Sequence, residues 1–168
     1  MIVRPATPSD VPAILDIYNV SVRESTSAWS EREQTPDERT AWFARQQAAG
    51  YGTFVAELAD EVVGFAAYGD FRDTSRWEGY RFTVENTVHV LDHAHDRGVG
   101  RALMEALIDH ATSAGKKVMV AAVDGENAGS VAFHEALGFE VVGRMPGVGW
   151  KFGRWLDLVL LQRRLGEG

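Results

Sequence analysis

An α/β domain, one mixed sheet with helices on both faces, is the fold class that the sequence predicts. Three observations lead there. Two capped amphipathic segments come first, a β-hairpin pattern follows, and the middle of the chain runs strand, helix, strand, an order that requires a crossover connection. The 168 residues amount to a single domain, 1–168, long enough to bury a sizeable core.

The first helix is announced by Thr7-Pro8-Ser9-Asp10: Thr7 can cap, Pro8 suits the first helical position, and Asp10 stands where a capping-box acid belongs. Val11, Ile14, Leu15 and Tyr18 then keep the spacing of one buried helical face. The same start signal recurs at Thr35-Pro36-Asp37-Glu38, with Trp42 and Phe43 as the apolar stripe and Gly50 as the stop. Residues 53–58 and 62–68 are rich in β-branched and aromatic residues around the polar Ala59-Asp60-Glu61, which reads as a hairpin. An irregular stretch over 70–80 holds two arginines and three aromatics.

Residues 81–90 form the next strand, 100–114 a helix stopped by Gly115, and 118–123 a second strand. A short helix over 130–137 ends at Gly138, and 139–144 and 154–163 are the last strands. On the strand at 81–90, alternation sets Thr83, Glu85, Thr87 and His89 on one side and Phe82, Val84, Val88 and Val90 on the other. Asn86 falls on the apolar side, and a bulge near it would relieve that conflict.

Composition removes several functions. A net charge of −7, from 17 Lys+Arg against 24 Asp+Glu, with no basic run, argues against nucleic acid or an anionic membrane as partner. Without cysteine there is no disulfide, no thiolate nucleophile and no zinc-thiolate site. Met1-Ile2-Val3-Arg4-Pro5 lacks the apolar core of a secretory leader, and no apolar run is long enough to span a bilayer, so a cytoplasmic location is expected.

The central chemical signal is His95-Asp96-Arg97-Gly98-Val99-Gly100-Arg101, where a strand enters a Gly-x-Gly turn that opens a helix. Glycines let the backbone approach a ligand closely, and the free N–H groups of a first helical turn favour a phosphate. Arg97 and Arg101 add positive charge. The dinucleotide fingerprint fails because Leu103 stands where a third small residue belongs, and a P-loop fails for want of Lys-Ser/Thr after the last glycine. His89, Asp92, His93, His95 and Asp96 crowd together but match no compact metal-ligand template, so no metal is expected.

This turn resembles the pyrophosphate loop of the GNAT superfamily of acetyl-CoA-dependent N-acetyltransferases, Gln/Arg-x-x-Gly-x-Gly/Ala, with His95 in place of the usual first residue. A second block, Asn127-Ala128-Gly129-Ser130 through Leu137-Gly138-Phe139, is similar to the segment that lines the pantetheine arm in that superfamily. Within it, Thr83-Val84-Glu85 and Lys151-Phe152-Gly153-Arg154-Trp155 resemble the phosphinothricin and methionine sulfoximine N-acetyltransferase branch.

The resemblance implies a mostly antiparallel seven-stranded sheet with a splay that exposes strand amides, acetyl-CoA as co-substrate and a homodimer. Acetyl-CoA would lie against Val88, His89 and Val90, the loop His95, Asp96, Arg97, Gly98, Val99 and Gly100 with Arg101, and Asn127 and Ser130. The implied acceptor is a small amino acid such as methionine sulfoximine, methionine sulfone or phosphinothricin. Amide formation requires a neutral amine, whereas an α-ammonium has a pKa near ~8, so a base is needed. Glu85 is expected to be that base, and His134, at the place of a common tyrosine acid, the group that protonates the departing thiolate. Arg72 and Arg81 are candidates for the acceptor's carboxylate, with Trp77, Tyr80 and Trp155 as pocket walls. Two other readings stay open on sequence: a GNAT enzyme of another amine, such as a polyamine, aminoglycoside or protein N-terminus, and a regulatory domain that binds acyl-CoA without turnover.

Overall fold

The structure, a computed structural model, describes residues 1–166. In chain order these form β1 (Ile2–Pro5), α1 (Val11–Glu24), α2 (Pro36–Ala49), β2 (Thr53–Leu58), β3 (Glu61–Asp70), β4 (Thr83–Val90), α3 (Val99–Ser113), β5 (Val118–Asp124), α4 (Ala128–Glu135), β6 (Glu140–Lys151) and β7 (Arg154–Arg164). The seven strands make one sheet in the order β1-β2-β3-β4-β5-β7-β6. Every pair is antiparallel except β4–β5, the crossover spanned by α3.

Both helix starts read from the sequence form, the one at Thr35 as a full capping box. At Thr35 the hydroxyl accepts the Glu38 N–H at 3.3 Å while the Glu38 carboxylate accepts the Thr35 N–H at 2.8 Å, and Gly50 ends α2 in the left-handed region at φ 67°. Before α1 a single 3-10 turn, Pro8–Asp10, intervenes. There the Asp10 carboxylate takes the Thr7 N–H at 2.7 Å and a two-pronged contact from Arg4 at 2.8 Å on each oxygen, which holds its pKa down to about 2. Arg4 also reaches Glu57 on β2, so this fork fastens the edge strand β1 to α1 and to β2.

The sheet divides the core in two. On one face α3 lays Leu103, Met104, Leu107 and Ala111 against Ala66, Tyr68, Val84, Met119 and Ala121. On the other, Ile14 and Ile17 of α1 and Phe43 of α2 pack on Val55 and Phe65. Burial of the larger of these side chains contributes roughly 1.5–3 kcal/mol each, the main favourable term in folding.

Two strand expectations are corrected. The β3–β4 register runs unbroken from Val84 to Val90, so there is no bulge at Asn86; instead β4 and β5 pair only from Thr83↔Val118 to Glu85↔Val120 and then part. The polar side chain of Asn86 therefore faces a gap rather than a filled core. β6 extends to Lys151, well past residue 144, because breaks in register at 141/143 and 145/149 carry the ladder around Pro146 and its neighbouring glycines.

Candidate active site

The gap where β4 leaves β5 is the centre of the site, and alternation along β4 assigns its two sides. Asn86 and Val88 point toward α3 and α4, where the Asn86 amide reaches Met104 Sδ at 3.6 Å and His134 Nε2 at 3.2 Å. Glu85, Thr87 and His89 point the other way, since His89 Nδ1 lies 2.9 Å from Ser21 Oγ on α1. A cleft of about 610 Å³ runs through the gap. On the α1 side it is lined by Thr26, Ser27, Trp29, Phe71, Arg72, Glu85, Thr87, Asp124 and Met145, and on the α4 side by Asn86, Val88, Asn127, Ser130 and His134.

Backbone direction adds donors to this gap. Leu91 N–H bonds Val63 O on β3 at 2.8 Å and Thr83 O accepts Phe71 N–H, so the odd residues of β4 face β3. The even ones, including Val88 and Val90, therefore face β5, and beyond Glu85 β5 has moved away. The Val90 carbonyl is taken by His95 Nε2 at 2.9 Å, which fixes that imidazole beneath the loop.

The loop itself enters α3 through Asp96 at φ 58° and Gly98 at φ 78°, both left-handed. Gly98 is the N-cap of α3 and offers no side chain, so the N–H groups of Val99, Gly100 and Arg101 open the helix without a side-chain acceptor. A Cβ on Gly98 would meet nothing within 4 Å, and one on Gly100 would touch the Phe133 ring at 3.3 Å. Asp96 and Arg97 are exposed at the loop's outer surface. Arg101 turns instead to the Ala136 carbonyl and Glu105, each at 3.4 Å, and lines a separate depression of about 950 Å³ with Arg163 and Arg164, away from Glu85.

Glu85 is half-buried and accepts no protein hydrogen bond among the described residues; burial raises its pKa above the ordinary carboxylate value. His134 is 3% exposed, its ring between Phe133 and Phe139. Its Nδ1 lies 2.8 Å from the Ser130 carbonyl, which can only accept, so Nδ1 carries the proton and Nε2 accepts from Asn86. Burial lowers its pKa. At rest, then, the Nε2 lone pair is taken up by Asn86 and His134 turns no proton toward the gap. Asn127 spends its side-chain oxygen capping α4 at the Ser130 N–H, 2.9 Å away.

Of the residues expected around an acceptor, Arg72 lines the cleft and Arg81, Trp77, Tyr80 and Trp155 do not. Arg81 lies 4.5 Å from the Phe82 ring centroid and donates to Glu78 O, and Trp77 lies beneath Arg76 at 4.7 Å. Tyr80 is one shell removed, its ring stacked edge-on with Phe71, which does line the cleft. Trp155 packs on Trp150 across the β6–β7 hairpin and is 65% exposed. The His89 ring, sealed on the α1 side, can offer the gap on the other face only backbone.

Sequence reasoning did not find Thr26, Ser27, Trp29 or Asp124. The first three sit in the connection from α1 to α2, which carries no motif, and are fixed by distant partners. Thr26 donates to Asp124, and the fully buried Lys151 ammonium donates to Ser25 O at 2.7 Å and to Ala28 O. Trp29 lies flat on Gly149, where a side chain would have no room. Among the described residues no group of three or more His, Cys, Asp or Glu side chains gathers as a metal site. Nor is any helix among them long and apolar enough to cross a membrane.

Comparison with known proteins is consistent across sequence and structure. Residues 14–139 match the model of the acetyltransferase (GNAT) family. The chain is 46% identical over 164 residues to an L-methionine sulfoximine/L-methionine sulfone acetyltransferase of Pseudomonas aeruginosa, covering 97% of this chain and 94% of that one. It is 37% identical over 167 residues to a phosphinothricin N-acetyltransferase of Alcaligenes faecalis, with 99% and 83% covered. A protein from Salmonella typhimurium, solved with its cofactor acetyl-CoA, superposes with a TM-score of 0.95 at 42% identity, over 100% of this chain and 95% of that one.

Proposed function

The chain belongs to the GNAT acetyltransferase family, and from that premise we propose that it transfers acetyl from acetyl-CoA to the α-amine of a small amino acid. Methionine sulfone, methionine sulfoximine and phosphinothricin are the acceptors put forward. The observation that supports this most is the division of the cleft: Glu85 and Arg72 lie on one side of the parted strands, and the uncapped α3 turn, Asn127 and His134 belong to the other. Two reactants thus approach one gap from opposite faces.

The residues present fit acetyl-CoA. The uncapped N–H groups of Val99, Gly100 and Arg101 suit a diphosphate, the open left-handed Gly98 lets it approach, and Asn86 Oδ1, buried without a partner among the described residues, suits an amide N–H of the pantetheine arm. Bound there, acetyl-CoA supplies a thioester open to an amine. The amides of Val88 and Val90, turned to the gap, receive the carbonyl oxygen. Glu85 takes the proton of the acceptor's ammonium, directly or through a water, and its raised pKa makes it a better match to that task. Arg72 holds the carboxylate.

His134 is not used here as the acid for sulfur. Its outward nitrogen carries a lone pair, and burial resists the second proton it would need to donate. It orients Asn86 instead, and CoA, a thiol with an intrinsic pKa near ~8.5, leaves as the thiolate and takes up the proton that the acceptor nitrogen sheds on becoming an amide.

A homodimer is also proposed. Val142, Val148, Trp150, Phe152 and Trp155 are all exposed on the β6–β7 hairpin, apolar side chains that a second copy of the chain would cover. Dependence on acetyl-CoA goes with a cytoplasmic location.

The test is an acceptor panel read as released thiol. Methionine sulfone and sulfoximine are expected to be acetylated with far higher kcat/KM than lysine, spermidine or an aminoglycoside, none of which offers both a carboxylate and sulfonyl-type oxygens. Equal efficiency on spermidine would replace the amino-acid reading by that of a polyamine acetyltransferase, and CoA binding without turnover on any amine would make the domain regulatory.

A further inference from the structure

We infer that His89 is a positioning residue that locks the Thr87 hydroxyl as a hydrogen-bond acceptor for the incoming amine. The inference rests on the reading of the Glu85 side of the gap as the amine's side.

His89 is 5% exposed, lying against the rings of Tyr18 and Phe65, where an aliphatic side chain would pack without the cost of burying an imidazole. Both of its nitrogens are engaged: Nδ1 lies 2.9 Å from Ser21 Oγ and Nε2 lies 3.1 Å from Thr87 Oγ1. Burial, with the Arg39 cation nearby, keeps the ring neutral, so only one nitrogen bears hydrogen. The chain's far end sets which one. Ser21 Oγ also lies 3.4 Å from the Ile17 carbonyl, a long contact to a group that only accepts, and a Ser21 proton turned there leaves its oxygen to accept from Nδ1–H. Nε2 is then a bare lone pair, and the Thr87 O–H must donate to it. What Thr87 has left to offer the cleft, which it lines, is an oxygen with lone pairs and no proton.

That polarity matters for an amine nucleophile. Thr87 follows Glu85 by two residues on the same face, roughly 7 Å along the strand. An amine that has given one proton to Glu85 keeps N–H bonds that need an acceptor and a lone pair that must stay free for the carbonyl carbon. A hydroxyl committed inward satisfies the first need. A hydroxyl free to rotate would donate to the lone pair and quench the second.

The test uses the full chain with acetyl-CoA and methionine sulfone. Thr87→Val keeps the shape and removes the hydroxyl, and should lower kcat/KM roughly tenfold or more, whereas Thr87→Ser should stay close to the parent. Ser21→Ala removes the acceptor of Nδ1–H, freeing the ring to take the other tautomer. It should lower kcat severalfold with acetyl-CoA affinity unchanged, and cost nothing further in a Thr87→Val background. The imidazole ¹⁵N shifts of His89 should report the Nδ1–H tautomer in the parent protein, a readout independent of any variant's folding. An Nε2–H tautomer, an active Thr87→Val, or a Ser21→Ala effect of equal size in both backgrounds would overturn the inference. Glu85→Gln separates the two levels. If it is inactive while Thr87→Val is unaffected, only the His89 assignment fails; if it is fully active, the amine-side reading fails and this inference with it.

Discussion

Gly149→Ala should damage acceptor binding from a strand that bears no chemistry. A Cβ at Gly149 would lie 2.3 Å from Cζ3, 2.4 Å from Cε3 and 3.0 Å from Cη2 of Trp29. Ordinary carbon contacts begin about 1 Å farther out, and because all three atoms belong to one rigid ring, the indole must retreat as a unit. Its loop is not free to follow, being tied by Lys151 to Ser25 O and Ala28 O and by Thr26 to Asp124. Overpacking of this kind costs ~1–3 kcal/mol, which for a chain of this size lowers the melting temperature by roughly 2–12 °C. Since Trp29 lines the acceptor side of the cleft, KM for methionine sulfone should rise severalfold while acetyl-CoA affinity, set across the sheet, stays put. Thermal melts and steady-state kinetics measure both. In a Trp29→Ala background the clash is gone, so Gly149→Ala should cost little more there. A Gly149→Ala protein with the parent's melting temperature and KM would refute the role given to Trp29.

Arg72→Leu should raise KM for methionine sulfone roughly tenfold or more, the usual cost of losing a charge-assisted hydrogen bond, whereas Arg81→Leu should leave it unchanged; equal effects would move the carboxylate seat out of the cleft. Stability should fall as pH drops from about 6.5 toward 4. Burial holds His89 down to about 4, so the unfolded chain takes up that proton first, at a cost of roughly 3 kcal/mol. Glu85, with its pKa raised, works in the opposite sense on the acid side, and Asp10, held near 2, adds a loss only below its ordinary value of 3.8. Urea melts at pH 7 and 4.5 check the sign, and equal stability at both would contradict the buried neutral imidazole.

Local signals made most of the fold legible. Thr35 and Glu38 mark the start of α2 by the bonds they later make, and the strand-helix-strand pattern required the one parallel pair. β1 was not legible, because four residues at a sheet edge hold their place through Arg4, whose partners Asp10 and Glu57 lie 6 and 53 residues away. β6 reads short from sequence because Pro146 and three glycines look like a loop until the pairing with β7 carries them through. At the site, alternation along β4 put Glu85 on a different face from Val88, and the Gly-x-Gly turn marked the start of α3. The far wall was hidden. Thr26, Trp29 and Asp124 meet only through tertiary contacts, and exposed aromatics such as Trp77 and Trp155 have the composition of a pocket wall but do not line this cleft.

Thiol release from acetyl-CoA with methionine sulfone, compared between the parent protein and Glu85→Gln from pH 6 to 9, tests the central claim most directly. The amide keeps the shape of the side chain and cannot take a proton, so turnover should fall by ~10²–10⁴ while calorimetric affinity for acetyl-CoA is retained. Parent-like turnover in Glu85→Gln across that range would contradict the assignment of Glu85 as the base.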